Sequence, residues 1–114
     1  MRADLQRFIG DDWDWTWSTS DDVSSWSDPV VTIREHRGVD ATVLATSTGG
    51  PPTITTTGTN FATGDLCWQV ARTVTSTFSP LAGAWLEVEV LIDGRAETVM
   101  SEALSIVRQT AVRP

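Results

Sequence analysis

The sequence carries few side chains that could catalyse a reaction. It has one His, one Cys, no Lys and no Tyr, so acid–base or nucleophilic chemistry would have to draw on His36, Cys67 or a carboxylate. His36 lies between Arg34 and Arg37 beside a predicted turn, which indicates a charged surface tip. Cys67 alternates with Gln69 on a predicted strand, where a lone Cys is typically a small structural side chain. We therefore expect no enzyme, no catalytic residue and no cofactor.

Five aspartates close together near the start of the chain could bind a cation. They are Asp11, Asp12, Asp14, Asp21 and Asp22. Calcium takes several carboxylate oxygens at once, but the spacing lacks the Gly that an EF-hand loop has at its sixth position. A solvated acidic edge that discourages pairing with other strands is the favoured interpretation. We therefore expect no metal site.

The six Trp residues, next to these carboxylates, raise the possibility of a sugar-binding or glycosidase site. That chemistry requires exposed indole rings. Trp13, Trp15 and Trp17 alternate with polar residues, so on a strand they share one face, and such a triplet is more typical of a core than of a platform. Trp26 and Trp85 are the better candidates for exposed aromatics that contact a partner, with Trp85 on the same strand face as Glu87 and Glu89.

Alternation of apolar and polar residues predicts strands through most of the chain. The residues after Gly10 form the clearest case, because a helix would spread the three indoles over about 200° and bury none of them well. Asp93-Gly94 is a strong two-residue hairpin pattern between two long alternating segments. Residues 4–9 fit a strand or one helical turn, and residues 18–28 fit a polar loop. The other predicted strands cover residues 13–17, 29–34, 41–46, 53–57, 66–72, 84–92 and 96–109, the last broken near Ser101.

This order of elements predicts an all-β fold, an antiparallel immunoglobulin-like β-sandwich of about seven short strands. A length of 114 residues suits one domain spanning residues 1–114. The single Cys67 cannot close an intrachain disulfide, and no Cys-Trp-Cys spacing marks a true immunoglobulin domain. The first ten residues have no apolar segment typical of a signal peptide, and we expect a soluble protein that does not enter a membrane.

The negative net charge of the chain disfavours nucleic acid as a partner. The net charge is −7, and seven of the fifteen acidic residues lie within residues 1–28, so the chain repels phosphate backbones. We therefore expect no nucleic-acid partner.

The order of several short motifs resembles the N-terminal domain of phage baseplate upper proteins. In the first half these motifs are Gly10-Asp11 before the Trp13, Trp15 and Trp17 strand, Trp26 in a polar loop, and the strand end Ile33-Arg34. In the second half they are Leu81 to Trp85, the acidic alternating strand, Asp93-Gly94, Leu104-Ser105-Ile106 and Val112-Arg113. The family's closing Val-Thr-Arg differs here, because no Thr stands between Val112 and Arg113.

The resemblance implies a β-sandwich without catalytic activity that attaches a peripheral tail module to the tail core. We therefore expect a virion structural protein, a tail or baseplate adaptor present in several copies of a symmetric assembly and docked between larger virion proteins. A decoration protein of the phage head and a carbohydrate-binding module are the alternatives. The residues expected to bind partners are Asp11, Asp12, Trp26, Trp85, Glu87, Glu89 and Arg113.

Overall fold

Seven strands in two sheets account for most of the chain that the computed structural model describes, residues 5–50 and 52–108. The strands are β1 (Leu5–Phe8), β2 (Trp13–Ser18), β3 (Trp26–Arg34), β4 (Val43–Thr46), β5 (Asp65–Val70), β6 (Leu81–Ile92) and β7 (Arg95–Val107). A 3-10 turn (Phe61–Thr63) precedes β5, and one turn of helix, α1 (Arg72–Thr75), follows it. No helix within these ranges is long and apolar enough to cross a membrane.

The two sheets differ greatly in width. Five strands form the larger sheet in the order β1-β7-β6-β3-β4, and β2 pairs with β5 in the smaller one. The β6–β7 hairpin predicted from Asp93-Gly94 is present, with Ile92 opposite Arg95. The predicted all-β sandwich of about seven strands is confirmed, but β6 and β7 are long, and β1 runs parallel to β7. The larger sheet is thus not wholly antiparallel, because β1 pairs with β7 in the same direction. After β1 the chain crosses directly into the smaller sheet as β2.

The Trp triplet of β2 faces the core, as predicted. In the antiparallel pairing with β5, Trp13 stands opposite Val70, Trp15 opposite Trp68 and Trp17 opposite Leu66. Trp13 and Trp68 are each 1% exposed, whereas Trp15 and Trp17 are half-buried. Alternate residues on the same strands face outwards, so the period of two residues separates a buried face from a solvated one.

The core lies between the inner faces of the two sheets. The larger sheet contributes mostly aliphatic side chains, and the smaller sheet contributes the indoles. The buried cluster comprises Trp13, Val31, Ile33, Ala45, Ile54, Leu66, Trp68, Val70, Ala84, Leu86, Val88, Leu104 and Ile106. Burying each large side chain contributes about 1.5–3 kcal/mol, so this set supplies the main favourable term in folding.

The predicted polar loop over residues 18–28 was wrong at both ends. Ser18 belongs to β2, and β3 begins at Trp26 rather than at Pro29. The strand continues through Pro29 because the pairing with β6 is irregular between Ser27 and Val30, where Asp28 adopts a positive φ of 49°. Proline lacks the N–H that a regular ladder requires, and such an irregularity removes that requirement.

Three further predictions were wrong. Residues 53–57 do not form a strand, since only Thr55 makes an isolated bridge to Gln69, and the N–H groups of Thr53 and Ile54 both donate to the Thr46 carbonyl. The segment after β5, predicted as a connection, contains the helical turn α1. The break predicted near Ser101 was wrong, because β7 is continuous from Arg95 to Val107 and only the β6–β7 register shifts nearby, between Val88 and Glu89.

Gly64 ends the 3-10 turn in a conformation that other residues avoid. Its φ is +81°, and a Cβ at this position would press against the carbonyl oxygen of Thr19. The backbone contact is close because the Thr19 N–H donates to the Gly64 carbonyl at 3.0 Å.

We expect Gly64→Ala to lower the free energy of unfolding by about 2–4 kcal/mol, because the added methyl collides with backbone and the positive φ disfavours a side chain. Gly50→Ala is the matched control, since a Cβ there meets open space, and it should change stability by less than about 0.5 kcal/mol. Urea denaturation measures both. Equal midpoints for the two variants would contradict the prediction.

Asp65 joins the ends of β2 and β5 through its carboxylate. Ser18 Oγ donates to Oδ1 at 2.8 Å, and Thr63 Oγ1 donates to Oδ2 at 2.9 Å. These hydrogen bonds, with that of Ser18 the larger cause, favour the ionised form and lower the pKa of Asp65.

We expect this carboxylate to stabilise the fold above the unfolded-state pKa of about 3.9, and the stabilisation to be lost as the pH falls through the lower folded-state pKa. Ser18→Ala and Thr63→Ala should each raise the pKa of Asp65 in the folded protein, because each removes one donor. Carboxyl-carbon NMR titration measures the shift. A titration midpoint that stays the same in both variants would show that these hydrogen bonds do not set it.

Candidate functional site

The two candidates for catalysis are not brought together. His36 is exposed in the turn after β3, and its Nδ1 lies 3.0 Å from the carbonyl oxygen of Arg37. Cys67 is half-buried on the outer face of the smaller sheet, with its Sγ 4.0 Å from Thr16 Oγ1. A nucleophile and its base must lie within hydrogen-bonding reach, and the contacts of these two side chains are with other residues. This geometry offers no nucleophile–base pair.

The acidic turn between β1 and β2 is tied to α1. The backbone N–H of Arg72, at the start of α1, donates to Asp12 Oδ1 at 2.8 Å. The buried hydroxyl of Thr75 donates to the Asp11 carbonyl at 2.7 Å and accepts the Gly10 N–H at 3.1 Å. Two of the residues expected to bind a partner, Asp11 and Asp12, thus contact α1 within the molecule. The role of Thr75 could not be predicted, because Gly10 and Asp11 are more than sixty residues away along the chain.

The remaining aspartates of the suggested calcium cluster lie apart. Asp14 is on the outer face of β2, opposite Gln69, while Asp22 is in the following loop. Ser24 donates to the Asp22 carboxylate from both its hydroxyl and its N–H, at 2.6 and 3.1 Å, and thereby lowers the pKa of Asp22. In residues 5–50 and 52–108, no group of three or more His, Cys, Asp or Glu side chains could hold a metal ion.

An open groove of about 510 Å³ lies beside this acidic turn. Its polar lining includes Asp12, Asp14, Thr55 and Gln69, and no aromatic ring contributes to it. The three indoles of the β2 triplet face the core instead. The Trp triplet and the carboxylates therefore do not form the joint sugar site that the sequence suggested.

The sequence predicted an exposed ring for Trp26, but in the structure this ring packs against two other aromatic side chains. Its ring stacks on that of Trp17 with centroids 5.8 Å apart and planes 5° apart, and Phe61 meets it edge-on at 5.7 Å. Since Trp26 belongs to the larger sheet and Trp17 to the smaller one, the stack links the two sheets. This correction leaves Trp26 half-buried, with its main contacts already made.

Trp85 lies on the outer face of the larger sheet, on the same face as Glu87 and Glu89, as the sequence predicted. Its neighbours along β6, Ala84 and Leu86, are fully buried, so Trp85 points away from the core, but it is half-buried rather than exposed as predicted. The indole N–H donates to Ser101 Oγ at 2.8 Å, which fixes the orientation of the ring. The guanidinium of Arg37 lies 5.2 Å from the ring centroid, within the range of a cation–π contact.

Arg34 holds the turn that carries Arg37. Its Nη1 donates to the Ala41 carbonyl at 3.1 Å and to the Val39 carbonyl at 3.5 Å. The turn that follows β3 is thus fastened beside Trp85. The Nε of Arg34 is buried without a hydrogen-bond partner, which leaves one strong donor of this side chain unsatisfied.

Strand register places the outward side chains around Trp85 in three rows across the sheet. The first row contains Ala103, Trp85, Arg34 and Val43; the second contains Ser101, Glu87, Thr32 and Thr46; the third contains Thr98, Glu89 and Val30. We call the surface formed by these rows, together with Arg37, the Trp85 face. One end of it is cationic and aromatic, the other end is anionic, and Val43 at its side is 43% exposed.

Comparisons with known proteins identify the architecture. No family model matches the chain, and no curated protein matches its sequence. A solved structure from a photo-crosslinking study of multimeric cell-adhesive interactions of VGSC beta subunits is similar, with a TM-score of 0.52 and 9% sequence identity over 92% of this chain and 91% of that one. The chain therefore has the predicted immunoglobulin-like β-sandwich fold. Arg113, expected to bind a partner, lies outside the described residues.

We expect Thr75→Val to lower the free energy of unfolding by about 2–3 kcal/mol, because it leaves the Gly10 N–H and the Asp11 carbonyl without the buried hydroxyl. Thr75→Ser keeps that hydroxyl and loses one methyl group, so its cost should be about 1 kcal/mol. Chemical denaturation of both variants measures the difference. A Ser variant as unstable as the Val variant would show that packing, not hydrogen bonding, is what Thr75 provides.

Proposed function

We propose that this chain is a structural protein of a phage virion, a small tail or baseplate adaptor that docks between larger virion proteins and uses the Trp85 face as one of its protein-binding surfaces. The observation that carries the proposal is the fixed orientation of the Trp85 ring on the outer face of the sheet. The ring is on the outer surface of the sheet, yet Ser101 and Arg37 already hold it in one orientation. An aromatic side chain ordered before binding loses little conformational entropy when a partner covers it.

The surroundings of Trp85 have the composition of a protein-binding surface. Trp and Arg are the residues most enriched at the energetic centres of interfaces, and both occur in its first row. Glu87, Thr32 and Ser101 form a polar border next to them. An aromatic residue next to polar side chains is a composition typical of protein interfaces.

The assignment to a virion rests on the sequence resemblance to the N-terminal domain of phage baseplate upper proteins. Several of the residues that carry it fall at structurally defined positions, including the turn at Gly10-Asp11, the end of β3 at Arg34, Trp85 on β6 and the hairpin at Asp93-Gly94. The proposal is that of a protein with no catalytic activity, present in several copies and located in the virion. Its partners are other virion proteins.

We expect purified particles of the parent phage to contain the protein in a multiple of three or six copies, because tail assemblies are symmetric. Quantitative mass spectrometry gives the number, and labelling its position separates a tail or baseplate adaptor from a decoration protein of the head. Absence of the protein from particles would overturn the proposal.

We expect Trp85→Ala to reduce incorporation into particles at least tenfold, because loss of an aromatic hot-spot residue at an interface typically costs about 2 kcal/mol or more. Asp14→Ala, on the outer face of the other sheet, is the control and should be incorporated normally. Circular dichroism checks that both variants fold. Binding of a cell-wall glycan that the Trp85 variant loses, with incorporation unchanged, would instead favour the carbohydrate-binding alternative.

A further inference from the structure

We infer that the occupant of the Trp85 face is the same face of a second copy of this chain, stacked with its strands antiparallel. The inference rests on the proposed function in one respect, namely that this face is a docking surface. It adds the identity of the partner and the geometry of the contact. The two-fold axis runs across the strands, between the row of Trp85 and the row of Glu87.

Charge is distributed on this face in a way that complements itself. Arg34 and Arg37 lie at one end of the three rows, and Glu87 and Glu89 lie towards the other end. Residues two apart on a strand are separated by roughly 6.6 Å, so Glu89 lies roughly 13 Å from Trp85 along β6. The face therefore has a cationic end and an anionic end. In a second copy with the opposite strand direction, the anionic end would lie over the cationic end of the first.

Antiparallel stacking places unlike charges opposite each other twice. With the axis between the first two rows, the row of Trp85 faces the row of Glu87 in the second copy. The third row, with Glu89, then faces the turn that carries Arg37. Because a two-fold axis relates the two copies, the pair of Glu89 in one copy and Arg37 in the other occurs twice in the contact. Parallel stacking would bring the two cationic ends together and the two anionic ends together, which electrostatics disfavours.

The overall charge of the chain makes this local complementarity decisive. At a net charge of −7, two copies repel each other in most orientations. A contact that pairs Arg with Glu offsets part of this repulsion. Pairing of a second copy with the exposed edge of β4 is less favourable than face-to-face stacking, because the N–H and carbonyl of Thr46 are already hydrogen-bonded to Thr53.

The size of the face indicates a weak dimer. Seven residues of β6 from Trp85 to Leu91, across the four strands β7, β6, β3 and β4, give an area of roughly 20 Å by 19 Å. This is at the low end for specific interfaces, so we expect a dissociation constant in the micromolar range or above. A weak dimer of this kind suits a part that is held in place by a larger symmetric assembly.

Sedimentation equilibrium of the full chain, from about 1 µM to about 1 mM, tests the inference with reversed charges. Arg37→Glu and Glu89→Arg should each weaken dimerisation at least tenfold, because each places like charges opposite one another twice. The double variant, and an equimolar mixture of the two single variants, should each recover an affinity within about threefold of the original, because both arrangements restore two unlike pairs. Arg72→Glu and Glu97→Arg, which make the same charge changes away from the Trp85 face, should leave the affinity unchanged.

A chain that remains monomeric at 1 mM, or single variants that are not rescued by the mixture, would overturn the inference. Incorporation of the same variants into particles separates it from the proposed function. Charge-dependent dimerisation with normal incorporation of every variant would leave the dimer standing and remove the adaptor role of this face. If Arg37→Glu is not incorporated but still self-associates like the original chain, the adaptor role of this face is supported and the inferred dimer is contradicted.

Discussion

Two strands have to cover one face of a five-stranded sheet in this protein, and the packing follows from that mismatch. Strands in a sheet lie about 4.8 Å apart, so a two-stranded ribbon is much narrower than the surface beneath it. Aliphatic side chains on such a ribbon would leave part of the larger sheet open to water. An indole buries roughly 150–250 Å², and the inner faces of β2 and β5 carry four of them, at Trp13, Trp15, Trp17 and Trp68.

The indoles also determine how the edges of the sandwich are closed. The Trp13 N–H donates to the Phe8 carbonyl at 2.8 Å, which fastens the smaller sheet to β1 of the larger one. Arg7 lies 4.5 Å from the centroid of Trp15, and burial lowers the pKa of this guanidinium. Trp15 stacks on Trp68, and both indole N–H groups are buried without a hydrogen-bond partner, a cost of about 1–3 kcal/mol each that the aromatic packing has to offset.

The two sheets use their outward polar groups differently. Near the smaller sheet, several polar groups form hydrogen bonds within the molecule, namely Asp12 and Thr75, which join α1 to the β1–β2 turn, and Asp65. The larger sheet needs only its inner face for the core. Its outer face therefore carries an ordered aromatic and charges of both signs, and this is the surface to which we assign docking and self-association.

Much of this could be predicted from the order of residues, because a strand with a period of two fixes which side chains share a face. The pattern predicted that the indoles of β2 face inwards, that Trp85 shares a face with Glu87 and Glu89, and that a hairpin joins β6 to β7. It did not predict which strand lies beside which, so the parallel pairing of β1 with β7 and the narrowness of the smaller sheet came only from the structure. The stack of Trp26 on Trp17 and the bonds of Thr75 to the β1–β2 turn also escaped prediction. Local alternation determines the direction of a side chain, whereas its partner is chosen by long-range packing, and the partners of Thr75 are 64 and 65 residues distant along the chain.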